Sequence, residues 1–150
     1  MPQSLSNLIA HLVFSTYHRD LLLTPEIRAE LFPYLTGILR NHGCHAIQIG
    51  GVQDHVHMLF AISRTVTAAD IVKAIKGSSS SWINERWPNG RRFSWQSGYG
   101  IFSVGQRDIE IEIRYIQNQE EHHRKVSFQD EYRELMRIAG IEIDERYVWD

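Results

Sequence analysis

The chain has 150 residues, 43% of them hydrophobic and 23% charged, the proportions of one globular domain with its own core. No run of eighteen apolar residues and no basic-then-apolar leader is found, and Cys44 is the sole cysteine; a membrane span, a secretory signal and an internal disulfide are therefore not expected, and a reducing cytoplasm is. The net charge of −2 and a pI near 6.4 lack the basic excess of a non-specific duplex-DNA binder, so any nucleic-acid contact must rest on a local patch.

In chain order, residues 7–19, NLIAHLVFSTYHR, alternate imperfectly and read as a strand. Residues 24–43 open on Thr24-Pro25, carry Ile27, Leu31, Leu35 and Leu39 at helical spacing and stop at Gly43. They predict a helix, with Pro33 as a point of kinking. CHAIQIGG (44–51) and HVHMLFAIS (55–63) predict two strands joined as a hairpin through Val52, Gln53 and Asp54. Residues 67–86 begin with a Thr N-cap and keep Ile71, Val72 and Ile75 on one side, a second helix. FSWQSGYGIFSVG (93–105) is aromatic and β-branched, punctuated by Gly98 and Gly100, and predicts a strand with a bend.

Residues 106–125 admit two readings. The start, Ile-Glu-Ile-Glu-Ile, alternates like a strand, but the continuation does not. A helix places Ile109, Ile113 and Ile116 on one stripe, with acids early and bases late as the helix dipole prefers. We take the helix. Tyr115 and Gln119 are then i, i+4 neighbours beside that stripe. The resulting order, strand–helix–strand–strand–helix–strand, predicts an α+β sandwich with two helices on one face of a mainly antiparallel sheet. The other face needs cover, and the tail from Val126 to Asp150 is available to cover the active site or the sheet edge.

The stretch DHVHML at 54–59 carries the chemistry. On a strand, His55 and His57 face one side, about 7 Å apart along the axis, and Val56, Met58 and Phe60 face the other. Two imidazoles so placed can act as metal ligands. A histidine-triad nucleotide hydrolase would need a third histidine where Leu59 stands. A two-histidine phosphoesterase would need a second H-x-[ST], which the sequence lacks. A cupin would need an all-β pattern, which the two helices oppose.

An H-apolar-H strand followed by a helix with Y-x-x-x-Q resembles the single-tyrosine HUH transposases of bacterial insertion sequences, and more nearly the REP-associated tyrosine transposases. LVFSTYHR, GVQDHVHMLF, WQSGYGIFSV and YIQNQEEHHRK carry the resemblance, which spans about residues 7–125, with a tail over 126–150 also like that group's. The resemblance implies a ferredoxin-like fold and a divalent metal, Mg or Mn, held by His55, His57 and Gln119. It implies Tyr115 as the nucleophile on single-stranded DNA with hairpin elements, forming a phosphotyrosine link and leaving a free 3′ hydroxyl. Insertion-sequence relatives act as homodimers; the REP-associated type need not. An alternative is a hairpin-binding descendant of a transposase with little cleavage.

His122 and His123 are further ligand candidates, although HHRK at a helix end reads first as a solvated terminus. For DNA contact the candidates are Arg19, Lys73, Lys76, Arg91 and Arg92, interleaved with Trp82, Trp87, Trp95 and Tyr99, a mixture suited to unstacked bases.

Overall fold

A computed structural model describes residues 2–150. Four strands, β1 (Leu8–Ser15), β2 (His45–Gly51), β3 (His55–Ile62) and β4 (Gly100–Ser103), form one antiparallel sheet in the order β2-β3-β1-β4. Helices α1 (Pro25–Asn41) and α2 (Ala68–Arg86) connect them in the β-α-β-β-α-β order of the ferredoxin-like sandwich. The expected architecture is present. Both long helices start as the sequence predicts, the side chain of Thr24 accepting from the Ile27 N–H and that of Thr67 from the Asp70 N–H. Pro33 lies inside α1, which continues through it.

Alternation along β1 and β3 splits the sheet into two faces. Leu12, Phe14, Val56, Met58 and Phe60 pack under Leu31, Leu35 and Leu39 of α1 and Ile71 and Ile75 of α2. The opposite face carries Ile9, His11, Val13, His55, His57 and Leu59. It is covered by α3 (Ile109–Gln117), which lays Ile116 on Ile9 and Leu59, and by α5 (Phe128–Ile138), which lays Phe128, Tyr132 and Met136 around Val13. Two glycines let these helices sit close. A Cβ at Gly50 would lie 2.7 Å from the Ile116 carbonyl oxygen, and one at Gly100 would lie 3.0 Å from the Met136 methyl carbon.

Three predicted elements differ. The first strand ends at Ser15; Tyr17–Arg19 form a tight 3-10 turn with His18 and Arg19 at positive φ, closed by the Thr16 hydroxyl donating to the Asp20 carbonyl. The strand predicted over 93–105 survives as β4 at Gly100–Ser103 and as a single bridge between Trp95 and Thr16. Between them the Gln96 side chain takes the Ser15 N–H while the Gln96 N–H still donates to the Ser15 carbonyl, and the Gly98 N–H turns away to the Asp150 carbonyl. The helix predicted over 106–125 is interrupted. A 3-10 turn at Gln106–Asp108 precedes α3, and Asn118 leaves helical geometry before the short α4 (Gln119–His122). Tyr115 and Gln119 therefore stand on two helices. The Gln119 amide still donates to the Tyr115 carbonyl.

Candidate active site

The site lies on the α3/α5 face of the sheet. β3 supplies His55 and His57, both fully buried. Helix α4 supplies Gln119, 1% exposed, and His123 follows at its end. Helix α5 supplies Glu131, 3% exposed, and α3 supplies Tyr115. Ligand atoms of His55, His57, His123 and Glu131 lie within 4.8 Å of one another. All come from one chain.

Counting donors and acceptors identifies what this cluster lacks. The Nδ1 of each imidazole faces away from the centre. His55 Nδ1 is 2.7 Å from Asp54 Oδ1, His57 Nδ1 is 2.7 Å from His11 Nε2, and His123 Nδ1 is 2.6 Å from the Val126 carbonyl. A carboxylate and a carbonyl only accept, so Asp54 and Val126 draw the protons of His55 and His123 onto Nδ1. In the neutral rings the Nε2 lone pairs then point inward. There His55 Nε2 lies 3.1 Å from Gln119 Oε1 and 3.3 Å from Glu131 Oε1. His57 Nε2 lies 2.9 Å from Glu131 Oε1, and His123 Nε2 lies 2.9 Å from Gln119 Oε1. Acceptors face acceptors at hydrogen-bond distance, an arrangement a divalent cation satisfies. The residues fit a metal, with three imidazole nitrogens, one amide oxygen and one carboxylate on offer.

Without a cation, protons fill the gap. Burial pulls His55 down, but hydrogen bonds and charge from Asp54 and Glu131 outweigh it and raise its pKa to about 9. Burial lowers His57 to about 3, against the weaker pull of Glu131. Burial opposes ionisation of Glu131 too, yet its contacts with His123, His55 and His57 hold the carboxyl well below its usual range. Glu131 is thus ionised and His55 carries the compensating charge.

Tyr115 meets this cluster directly. Its hydroxyl donates a short hydrogen bond to Glu131 Oε2, and burial followed by the Glu131 charge raises its pKa well above the usual phenol value. The structure brings together His55, His57, Gln119 and Tyr115 from the sequence-stated set. It also seats His123 among them, against the solvated-terminus reading; His122 Nε2 lies 3.2 Å from Glu131 Oε2 at the rim.

The DNA candidates lie elsewhere. Arg19 donates to the Trp149 carbonyl, Arg91 pairs with Asp20 at 2.6 Å, and Lys76 donates to the Ser97 and Gly98 carbonyls. Burial lowers Lys76 to about 8. Lys73 and Lys76 line an open groove with Trp95 and Tyr99, and Arg92 is exposed. The cations flanking the histidine cluster are instead Arg28 and Arg124, which line two adjoining cavities of about 480 and 390 Å³ with Glu120.

Sequence reasoning missed Glu131 and His11. Glu131 lies three residues from Phe128 and one before Tyr132, on the apolar stripe of α5. A carboxylate on a buried stripe is the signal. His11 interrupts an otherwise apolar strand, buried at 2%.

Among the described residues no helix is long and apolar enough to cross a membrane. Comparison with known proteins agrees with the geometry. The chain is 26% identical over 114 residues to the ISDra2 transposase TnpA of Deinococcus radiodurans, covering 73% of this chain and 81% of that one. Its fold matches a crystal structure of a candidate transposase from Deinococcus radiodurans, with a TM-score of 0.63, 24% identity, and coverage of 79% of this chain and 98% of the other. It also matches a REP-associated tyrosine transposase bound to a REP hairpin, with a TM-score of 0.62, 12% identity, and coverage of 84% and 74%. Residues 4–119 fit the IS200-like transposases as a family, and the chain belongs to that family.

Proposed function

We propose that the protein is a metal-dependent single-stranded DNA transesterase, cleaving and rejoining strands through a covalent link to Tyr115. One observation carries this reading: the inward lone pairs of His55, His57 and His123, with Gln119 and Glu131, converge beside the Tyr115 hydroxyl. A divalent cation held by these groups would polarise the scissile phosphate and stabilise the charge that develops on it. Of Mg and Mn, the nitrogen-rich donor set favours Mn.

The remaining steps belong to the chain's own residues. Tyr115 is protonated at neutral pH, and Glu131 Oε2 is already its acceptor. Glu131 takes the phenol proton as the Tyr115 oxygen attacks phosphorus. The P–O3′ bond breaks, and the 3′ oxygen leaves and is protonated from water. The reverse step, attack by a 3′ hydroxyl, returns the proton to Tyr115 and rejoins the strand without an external energy source. His57, buried and neutral, stays a ligand throughout. Arg28 and Arg124 line the cavities beside the cluster, paired with Glu120 at 3.3 Å and Glu121 at 3.4 Å, and would exchange those partners for the strand's phosphates.

Hairpin-bearing DNA is the substrate we infer, supported by the hairpin bound to the REP-associated neighbour. The low net charge favours recognition of structure over bulk attraction to duplex. The test is a denaturing gel with end-labelled hairpin-bearing single strand, unstructured single strand and matched duplex, with Mn²⁺ or chelator. A Mn²⁺-dependent adduct on the hairpin-bearing strand, absent in Tyr115→Phe, is expected. Hairpin binding without adduct at any metal concentration would favour the hairpin-binding descendant, and equal cleavage of all three DNAs would leave a general nuclease.

A further inference from the structure

A chain of contacts runs from the cluster through β1 to Glu112 on α3. His57 Nδ1 lies 2.7 Å from His11 Nε2, and His11 Nδ1 lies 3.1 Å from Glu112 Oε2. Both imidazoles are buried, at 0% and 2% exposure. The link crosses β1 and β3 diagonally, since His11 pairs with Leu59 and His57 with Val13. Glu112 Oε2 is itself buried and makes no aligned hydrogen bond among the described residues, His11 Nδ1 at 3.1 Å being the ionic contact it has.

Proton positions along this chain follow from its carboxylate end. Glu112 only accepts, so the proton between it and His11 sits on His11 Nδ1. A neutral His11 then offers a bare Nε2, which can only accept. Glu131 Oε1, 2.9 Å from His57 Nε2, draws the His57 proton to that nitrogen while the ring is metal-free. With Nε2 given to a metal the proton is left on Nδ1, the atom that meets His11 at 2.7 Å. Glu112 also precedes Tyr115 by three residues, one turn along the same helix.

We propose that Glu112 and His11 are positioning residues that hold the His57 ring and its Nδ1 proton in place when Nε2 is given to a metal, and tie that ligand to the helix bearing the nucleophile. This rests on the reading of His57 as a ligand. Outer partners of this kind fix which nitrogen of a histidine is free to bind, and losing them typically weakens metal affinity about 10–100-fold. His11 is the more informative member because glutamine can replace both of its roles. The Gln amide oxygen accepts from His57 Nδ1–H, and its NH₂ donates to Glu112.

The experiment has two readouts. Long-range ¹⁵N–¹H correlation spectra of the Mg²⁺-loaded wild type locate the imidazole protons. The expected result is a proton on Nδ1 of both His57 and His11, with mixed His11 tautomers in Glu112→Gln, whose amide can face His11 either way. Titration calorimetry with Mn²⁺ should show affinity falling about 10–100-fold in His11→Leu and staying within a few-fold of wild type in His11→Gln. A His11 proton resident on Nε2 in the wild type would overturn the proposal. So would unchanged Mn²⁺ affinity in His11→Leu, or equal losses in the Leu and Gln variants, which would mark a packing effect. His57→Ala separates the two layers: Mn²⁺ binding that survives it refutes the ligand reading, whereas the His11 tautomer still reports on its contact with Glu112.

Discussion

Replacing Glu131 by glutamine tests whether the C-terminal helix belongs to the site chemically. The substitution keeps shape and volume, so no cavity opens. It removes the charge that faces the buried His55 imidazolium and the three other imidazoles, at 2.9–3.3 Å. Breaking one side of a buried ion pair costs about 3–5 kcal/mol. Asp54, 2.7 Å from His55 on its other nitrogen, remains to support the cation, which places the expected cost at the lower end, about 3 kcal/mol. For a chain of this size that is a fall in Tm of about 6–12 °C. The effect carries a pH signature. His55 has a folded pKa of about 9, above its ordinary 6.5, so its stabilising contribution is complete below about 6.5 and disappears as pH rises through 9. The gap between wild type and Glu131→Gln should therefore be widest near pH 6.5 and narrow by pH 9.5. Calorimetric melts in chelator at these two pH values measure it. Equal stability at pH 6.5, or a gap that does not narrow, would refute the assignment of the His55 charge to Glu131.

Three further outcomes are expected. His57→Ala should abolish Mn²⁺ binding and adduct formation together, whereas Gln119→Ala should lose less, since water can replace a neutral amide oxygen; calorimetry and the adduct gel read both. Metal binding at pH 7.5 should release about one proton, the one His55 carries in the metal-free protein, measurable as a dependence of the binding enthalpy on buffer ionisation enthalpy; no release would mean that His55 is already neutral. Gly50→Ala should force α3 away from β2 at Ile116, destabilising by about 1–3 kcal/mol and slowing adduct formation by misplacing Tyr115; a wild-type rate would mean that the close approach of α3 does not set the nucleophile's position.

Much of this protein is legible in its residues. Period-2 alternation put His55 and His57 on one face of β3, because side-chain direction in a strand follows from backbone geometry alone. Threonine caps and apolar spacing placed α1 and α2 to within a residue or two, since those signals act over one helical turn. The Y-x-x-x-Q spacing brought Tyr115 near Gln119 even though the helix breaks between them. Other features depend on partners distant in sequence. The strand over 93–105 is interrupted between Trp95 and Gly100, where the Gly98 N–H goes to the Asp150 carbonyl and Lys76 donates to the Ser97 and Gly98 carbonyls, and nothing local announces those partners. Glu131 reads locally as one acid in an acidic helix, and His11 as a polar lapse in a strand. Each acquires its role from groups on other elements: His57 is 74 residues from Glu131 and 46 from His11. Which nitrogen of a buried imidazole is free, and which carboxylate stays ionised, depends on the atoms within about 3 Å of each. Those neighbours are chosen by the packing of α3 and α5 onto the sheet, so the ligand strand follows from sequence and its chemistry from the tertiary fold.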